Sequence, residues 1–348
     1  MSSVRQIAVD KEDTSYRFGR PHSMTPARAG PRVVFARVAR PHRELERRAA
    51  AMSSAGAHRR ATVLVGDVHG HRAKLVSLFE NLEREIGAER LSTSRVVFLG
   101  DLVDRGPETS GVLDFIASLP AVHPSMEVRI LGGNHDLGMA TFCSLWRVDG
   151  GMPPPEGYVA RRKEPPLWVD ATDKNEHARM HLQGRRWGAF EAGTRNAFDS
   201  EATFASFGVD PGDPRRREAL LSSLPESHAV LLSSLEFVVE LDDVEDDMHP
   251  EVNKLIAVHA GLELERPIPE QLEALRERVI QQRWIEALQG RTNVGRPANV
   301  GVNVLVASGH HGILKTDGKW LVVDECAGLD ERQLAAVVLP ERAVVKSH

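Results

Sequence analysis

The stretch Thr62–Gly70 reads Thr-Val-Leu-Val-Gly-Asp-Val-His-Gly, and its pattern recurs along the chain. Its first half is a short apolar run rich in β-branched residues, which is typical of a buried strand. A glycine ends the run, and an aspartate and a histidine follow closely. Two more such runs, at 95–99 and 128–131, also end beside glycine. We therefore predict three buried strands, each followed by a polar turn.

Helical patterns lie between these strands. In the segment 71–85 leucines recur every three or four residues, with charges on the opposite face, and the segment 108–119 has a similar apolar side that ends before Pro120. Such periodicity predicts amphipathic helices. A further helix is predicted at about 269–288, and further strands at 254–258, 303–307, 320–323 and 335–339. Strand, turn and helix in repetition indicate an α/β fold.

Charge and composition divide the chain. Residues 1–60 hold twelve arginines and one lysine against five acidic residues, within a total net charge of -5. With its Arg-Pro and Gly-Pro steps, this segment is interpreted as a basic tail without stable structure. An organelle-targeting peptide and an arm that docks on nucleic acid or an acidic partner are the alternatives. We assign residues 61–348 to one folded domain, with a proline-rich, cap-like insertion at about 145–250.

Composition also argues against several classes of protein. No apolar stretch is long enough to span a membrane, and no apolar block near the start resembles a secretory signal. Two cysteines cannot build a disulfide framework, which favours a reducing compartment such as cytoplasm or nucleus. Because the body after residue 60 is acidic, we do not expect a nucleic acid substrate. The acidic run 242–247 lacks the spacing of a calcium loop and is interpreted as a solvated surface loop.

Five predicted strands end in metal-ligand or catalytic residue types. The turns contain, in order, Asp67 and His69; Asp101, Asp104 and Arg105; Asn134, His135 and Asp136; His259; and His310 and His311. In open α/β sheets the carboxyl ends of the strands form the ligand crevice, so residues far apart in the chain can converge there. The flanking glycines allow close approach of the backbone. One such turn alone is usually structural, but five together indicate a site.

The ligand types restrict the metal. Aspartate and asparagine oxygens with histidine nitrogens suit divalent manganese, iron or zinc, and the cysteine count excludes a thiolate zinc site. The candidate ligands outnumber those that one tetrahedral ion needs, and a carboxylate can bridge two ions about 3.5–4 Å apart. We therefore predict a site for two divalent ions.

The order Gly-Asp-x-His-Gly, Gly-Asp-x-x-Asp-Arg-Gly, Gly-Asn-His-Asp and two later histidines, spread over residues 66–312, resembles the PPP group of metallophosphoesterases. The resemblance implies a calcineurin-like β-sandwich flanked by helices and two divalent ions, with manganese favoured over iron or zinc. The implied ligands are Asp67 and His69 for the first ion, Asp101 as the bridge, and Asn134, His259 and His310 for the second, with His311 as the rival of His310.

The same resemblance implies the catalytic roles. His135 would be the general acid, Asp104 would orient it, and Arg105 with Asn134 would bind the phosphate. Cys143 lacks the downstream arginine spacing of cysteine-based tyrosine phosphatases and is interpreted as a buried structural thiol. Arg185 and Arg186 are interpreted as surface charges or as contacts for a second phosphate or for acidic residues beside the target.

Three stretches, 180–187, 255–263 and 306–312, look like the Rhizobiales-like protein phosphatases, a bacterial-type branch regarded as tyrosine-directed. Asp136 stands where the eukaryotic serine/threonine phosphatases have glutamate, and neither Tyr16 nor Tyr158 can replace their C-terminal active-site tyrosine. The expected function is hydrolysis of phosphotyrosine in a phosphoprotein by direct attack of a metal-bridging hydroxide. A serine/threonine phosphatase, a diadenosine-tetraphosphate hydrolase and a catalytically dead binding module are the alternatives.

Overall fold

A computed structural model describes residues 60–145, 184, 186–190, 196–278 and 286–348, and the structural statements below concern these residues. The predicted basic tail, except Arg60, lies outside them, as does Arg185. No helix in the described ranges has both the length and the apolar character needed to cross a bilayer.

The strands of the described ranges, in chain order, are β1 (Thr62–Val65), β2 (Arg95–Phe98), β3 (Glu127–Ile130), β4 (Val239–Asp242), β5 (Lys254–Ala257), β6 (Leu262–Glu263), β7 (Val294–Gly295), β8 (Val304–Ser308), β9 (Leu314–Lys315), β10 (Trp320–Val323), β11 (Ala335–Leu339) and β12 (Ala343–Lys346). The helices are α1 (Arg72–Ile86), α2 (Ala88–Ser92), α3 (Thr109–Val122), α4 (Asn134–Phe142), α5 (Glu201–Ser206), α6 (Arg216–Ser223), α7 (Glu226–Ser233), α8 (Ile268–Glu277) and α9 (Glu286–Gln289). All seven strands predicted from the sequence are present.

Two five-stranded mixed sheets form the centre of the fold. The first has the order β12-β11-β1-β2-β3, in which β1, β2 and β3 are parallel. The second has the order β4-β5-β8-β10-β9, in which β5, β8 and β10 are parallel. Each sheet therefore contains three parallel strands whose carboxyl ends share one edge, and β6 and β7 form a separate pair.

The two sheets pack face to face, as the division of the apolar core shows. Leu64 of β1 and Val97 of β2 belong to the same buried cluster as Leu255 of β5 and Leu305 of β8. The alternate residues of these strands, such as Val63, belong to a second cluster that includes the apolar faces of the helices. Because the strands are buried on both faces, they read as continuous apolar runs in the sequence. The predicted helix-flanked β-sandwich is confirmed.

Two helix predictions need correction at their ends. The helix predicted to stop before Pro120 continues to Val122, and the Leu119 carbonyl still accepts the N–H of His123 at 2.8 Å. A proline removes one N–H donor, which the last turn of a helix tolerates better than its middle. The single helix predicted over 269–288 is wrong: α8 ends at Glu277 because Arg278 is left-handed, with φ 55°. An L-residue in that conformation cannot continue a right-handed helix.

The described part of the predicted insertion is integrated into the fold. Helices α5, α6 and α7 bury Phe204, Leu220 and Leu232 in the helix-side core, and β4 is an edge strand of the second sheet. Residues 196–242 thus form part of the body, in contrast to the expected excursion. Most of 146–195 lies outside the described residues, so a cap there stays a prediction. Cys143 is fully buried, as expected.

The acidic run 242–247 is not a fully solvated loop, which corrects the sequence interpretation. Asp246 is buried and pairs with the buried Arg342, whose Nε donates to Oδ1 at 2.9 Å while Nη2 contacts Oδ2. Arg95 donates to the backbone carbonyls of Asp242 and Asp243 at 2.8 and 3.0 Å. Arg95 in β2 and Arg342 between β11 and β12 therefore fasten this run, which begins in β4 of the second sheet, to the first sheet.

We expect Asp246→Ala to lower the free energy of unfolding by about 3–5 kcal/mol, because it leaves the charge of Arg342 buried without its anionic partner. Glu341→Ala is the matched control, since Glu341 pairs with Arg90 at 2.7 Å near the surface, with side chains 32% and 20% exposed. That change should cost less than about 1 kcal/mol. Urea unfolding of both variants measures the difference, and equal losses would contradict a structural role for the buried pair.

Candidate active site

The polar turns that follow the parallel strands meet at one end of the sandwich. Asp101, after β2, places its Oδ2 3.7 Å from Nε2 of His69, which follows β1. The same oxygen lies 3.4 Å from Nε2 of His259, which follows β5 in the other sheet. One buried carboxylate thus contacts residues from both sheets, as the convergence predicted from the sequence required.

Two groups of buried ligand-type side chains share Asp101. The first contains His69, Asp101 and His135, and the second contains Asp101, His259 and His310, with ligand atoms within 4.8 Å of one another in each group. Asp67 lies beside the first group, with Oδ2 4.0 Å from Nε2 of His69. Burial and, secondarily, the charges of Asp324 and Asp101 hold the pKa of Asp67 well above its ordinary value.

Backbone carbonyls orient the histidine rings. His69 donates its Nδ1–H to Val103 O at 3.2 Å, and His259 donates its Nδ1–H to Leu99 O at 2.6 Å. Both rings therefore turn Nε2, the nitrogen that would bind a metal ion, toward the carboxylate of Asp101. Hydrogen bonding at the remote nitrogen is the usual way in which a protein fixes a metal-binding imidazole.

Unpartnered buried atoms show that this group of residues fits a cation. Nε2 of His259 and Oδ1 of Asn134 are buried and make no hydrogen bond within the described structure. Both are lone-pair donors, and both belong to the predicted ligand set. Leaving such atoms unpaired in a protein interior is costly, whereas a divalent ion would satisfy them together with Asp101.

The two adjacent histidines after β8 have different surroundings. His310 belongs to the second ligand group, and burial, followed by the nearby His259, lowers its pKa to about 3. Its Nε2 donates to Gln289 O at 3.0 Å. His311 turns away and donates Nε2–H to Ala260 O at 2.8 Å. The geometry therefore favours His310 over its rival.

His135 and Asp104 form a buried pair. His135 donates Nδ1–H to Asp104 Oδ2 at 2.8 Å, and Asp104 is fully buried. Burial raises the pKa of Asp104, although the hydrogen bond from His135 opposes that rise. Arg105 reaches into the same space, with Nη1 2.8 Å from Nε2 of His69 and Nη2 3.3 Å from Nε2 of His135.

Asp136 has a structural role that the sequence did not reveal. Its carboxylate accepts the backbone N–H groups of Leu102 at 2.8 Å, Val103 at 3.2 Å and Gly133 at 3.0 Å. It therefore ties the turn after β2 to the first turn of α4. Burial and the neighbouring charge of Asp101 raise its pKa to about 7.

Close packing at the site requires glycine at two positions. A Cβ at Gly133 would lie 2.1 Å from Oδ1 of Asp101, and a Cβ at Gly309 would lie 2.1 Å from Oδ1 of Asp67. These contacts confirm the role expected for the flanking glycines. Left-handed backbone also concentrates here, with positive φ at His69 (49°), Asp101 (52°), Asp104 (74°), Arg105 (65°) and His310 (67°). Such conformations are costly for non-glycine residues and cluster at functional sites.

Sequence reasoning missed the loop that follows β10. A Cβ at Gly328 would lie 2.6 Å from Cδ of Arg105 and 3.0 Å from Cδ2 of His69. Lys74 of α1 donates to the carbonyls on either side of this glycine, Ala327 O at 2.7 Å and Leu329 O at 2.6 Å. The available signal was Asp324, another aspartate directly after a strand, which accepts the N–H groups of Gly312 and Cys326.

Comparison with known proteins gives several partial matches. The symmetrical bis(5'-nucleosyl)-tetraphosphatases of Escherichia coli O139:H28 and Shigella boydii serotype 18 are each 39% identical over 88 residues, which is 25% of this chain and 28% of theirs. The matched segment thus spans little more than a quarter of those relatives.

Solved structures with low sequence identity resemble much of the chain. A putative diadenosine tetraphosphatase has 17% identity and a TM-score of 0.44, covering 83% of this chain and 93% of its own. The cold-active protein-tyrosine phosphatase of a psychrophilic Shewanella has 12% identity and a TM-score of 0.40, covering 83% and 80%. A protein serine/threonine phosphatase from Saccharomyces cerevisiae has 13% identity and a TM-score of 0.38, covering 84% and 80%.

The family profile described as calcineurin-like phosphoesterase matches residues 61–338. This range contains all the polar turns described above and both sheets, except β12 and the last residue of β11. The chain belongs to the calcineurin-like phosphoesterase family.

Proposed function

We propose that this protein is a two-metal phosphomonoesterase that hydrolyses phosphotyrosine in a phosphoprotein. The observation that carries the proposal is the position of Asp101, a buried carboxylate shared by two ligand groups from two sheets. A bridging carboxylate between two divalent ions is the arrangement used for displacement at phosphorus. Membership of the calcineurin-like phosphoesterases supports the hydrolase class, and the choice of phosphotyrosine rests on the resemblance of the motifs.

The residues described above would hold the ions. We assign Asp67 and His69 to one ion, Asn134, His259 and His310 to the other, and Asp101 to both, and we favour manganese over iron or zinc. When bound, the ions supply positive charge against the phosphoryl oxygens and lower the pKa of the attacking water.

Arg105 and Asn134 would bind the phosphoryl group. The guanidinium lies between the rings of His69 and His135 and can hold two phosphate oxygens with its planar fork. Because Gly328 packs directly on Arg105, the loop after β10 restricts where the arginine can move. The side-chain amide of Asn134 has its N–H₂ free to donate to the phosphate if its oxygen binds metal.

His135 would protonate the leaving oxygen. Its Nδ1–H is engaged by Asp104, so the proton that is transferred must leave from Nε2, which faces Arg105 and hence the phosphate. A tyrosyl leaving group, with a pKa of about 10, departs more easily than the alkoxide of serine or threonine. The acid should therefore matter less for aryl than for alkyl esters.

A dinucleoside tetraphosphate is the second candidate substrate. The matched relatives from Escherichia coli and Shigella boydii bear the name of a symmetrical bis(5'-nucleosyl)-tetraphosphatase. A serine or threonine phosphate is the third candidate, because the proposed metal site would act on any accessible phosphate monoester.

Turnover of a substrate panel tests the proposed function. Metal-stripped protein should be inactive, and reconstitution with Mn²⁺, Fe²⁺ or Zn²⁺ should restore hydrolysis. We expect higher kcat/KM for phosphotyrosine peptides than for matched phosphothreonine peptides or diadenosine tetraphosphate. Full activity in a strong chelator would contradict the two-metal site, and preference for the tetraphosphate would contradict the protein substrate.

Metal binding distinguishes the two adjacent histidines. Wild-type protein should bind about two Mn²⁺ ions per chain, and His310→Ala should reduce this to about one, because it removes a ligand from the second group. His311→Ala is the matched control and should retain both ions, since its ring is hydrogen-bonded to Ala260 O. Isothermal titration and metal analysis give the stoichiometry. Loss of an ion from His311→Ala instead would reverse the ligand assignment.

Leaving-group dependence tests the general acid. His135→Asn should lower kcat on alkyl phosphates by about 100-fold or more, the usual contribution of a general acid, and should lower kcat on aryl phosphates less. Steady-state rates on a series of phosphate monoesters with different leaving-group pKa values measure the effect. Equal losses on aryl and alkyl esters would refute the assignment of His135.

A further inference from the structure

Asp104 is held by more than its histidine. Its Oδ2 accepts both the Nδ1–H of His135 and the indole N–H of Trp187, each at 2.8 Å. Its Oδ1 accepts the hydroxyl of Thr203 at 2.7 Å. All four side chains are nearly or completely buried, with exposed fractions of 0 to 3%. The carboxylate therefore takes its hydrogen bonds from protein groups on both oxygens.

The direction of these bonds follows from counting protons. Thr203 has a single hydroxyl proton, and Asp104 Oδ1 is the nearest acceptor. The contact of 3.0 Å between the hydroxyls of Thr109 and Thr203 must then be donated by Thr109. The Asp104 backbone N–H donates back to the Thr203 hydroxyl at 3.0 Å. Thr203 thus contacts both the backbone and the side chain of Asp104, whose φ of 74° is itself a strained conformation.

Packing and hydrogen bonds also hold Trp187 in place. Its ring packs against α4 at Gly138, where a Cβ would lie only 3.0 Å from the indole Cδ1. The amide of Asn196 donates to the carbonyls of Arg186, Trp187 and Ala189 at 2.9, 3.1 and 2.7 Å. Arg216 donates to the carbonyl between the last two, Gly188 O, through Nη2 at 2.7 Å and Nε at 3.0 Å. The segment 186–190 therefore presents the indole N–H in a fixed direction.

Trp187 combines aromatic packing with one polar contact. The ring of Trp187 lies in an aromatic cluster with Phe142 and Phe204, at centroid distances of 5.2 and 5.1 Å. A buried indole needs an acceptor for its N–H, and here that acceptor is the oxygen that also binds the candidate general acid.

We propose that Trp187 and Thr203 are positioning residues that fix the Asp104 carboxylate and, through it, the imidazole of His135. This inference rests on the proposed function, because the effect on catalysis requires His135 to act as the acid. With both oxygens held, Asp104 cannot rotate, and His135 keeps Nε2 directed at the leaving oxygen. Without either donor, an oxygen of the buried carboxylate loses a bond and the carboxylate gains an alternative orientation.

The test uses substitutions that remove single donors. Trp187→Phe removes the indole N–H, Thr203→Val removes the hydroxyl at nearly constant shape, and Thr203→Ser retains it. We expect Trp187→Phe and Thr203→Val each to lower kcat on alkyl phosphates by about tenfold, with a loss of about twofold or less on aryl phosphates and unchanged KM. Thr203→Ser should restore the wild-type ratio. In a His135→Asn background, neither change should cause a further loss.

Phe204→Leu is the matched control. It removes an aromatic ring that contacts Trp187, and Phe204 lies next to Thr203 in α5, but its side chain gives no hydrogen bond to Asp104. If Phe204→Leu lowers activity by loosening the packing, it should therefore lower kcat on alkyl and aryl phosphates by the same factor. Metal analysis should show an unchanged ion content in every variant, so that the rates are compared at equal loading.

A second readout is independent of turnover. This readout uses protein loaded with diamagnetic Zn²⁺, because Mn²⁺ would broaden nearby proton signals. In that wild-type protein the Nδ1 proton of His135, bound to a buried carboxylate, should give a downfield proton NMR signal that His135→Asn abolishes. Trp187→Phe and Thr203→Val should shift or broaden it, and Thr203→Ser and Phe204→Leu should not.

Equal losses on aryl and alkyl esters, or Thr203→Ser behaving like Thr203→Val, would overturn the inference. If Trp187→Phe fails to fold, the two Thr203 variants decide. Wild-type protein that hydrolyses neither ester class would overturn the proposed function, whereas the NMR signal would still decide whether Trp187 and Thr203 position His135.

Discussion

The site depends on keeping one carboxylate, Asp101, buried between two sheets. Burial acts to raise the pKa of Asp101, but the neighbouring His259 and His135 prevail and hold it well below its ordinary value. An ionised carboxylate in such a place needs positive charge within a few ångströms, because the interior screens its charge poorly, and a bound divalent ion would supply that charge. The histidines that contact it come from β1 and β5, on different sheets. The geometry of the site therefore depends directly on how the two sheets pack together.

The loops around Asp101 contain backbone conformations and close contacts that are unfavourable for folding. Several of their residues adopt left-handed backbone, and Gly133 and Gly309 leave no room for a Cβ beside Asp101 and Asp67. Each such feature disfavours folding locally, and the surrounding core offsets it. Apolar strands buried on both faces supply that core, and Asp136 adds three hydrogen bonds that hold the turn after β2 to α4. Rigid strands with strained ends suit a site whose ligands must stay within a narrow range of distances.

The region between α4 and β4 contributes to the site through contacts with Asp104. Trp187 and Thr203 come from parts of the chain that the sequence assigned to an insertion, yet both contact the carboxylate that orients His135. Helices α5 to α7 bury apolar side chains in the same core as α1 and α3. The loop after β10 contacts a different part of the site, since Gly328 packs on Arg105. Lys74 donates hydrogen bonds to the carbonyls on either side of Gly328.

The sequence alone determined the strands, the turns that carry Asp67, Asp101 and His259, and their expected convergence. These are local patterns, because a buried apolar run and the residues after it are adjacent in the chain. Tertiary structure decided the different surroundings of His310 and His311, the burial of Asp246 against Arg342, and the contact of Trp187 with Asp104. Each of these joins side chains that are brought together only by packing, so no periodicity or motif in the sequence reports them. The end of α8 at Glu277 belongs with them, because the left-handed Arg278 ends a helix that the sequence predicted to continue to about residue 288.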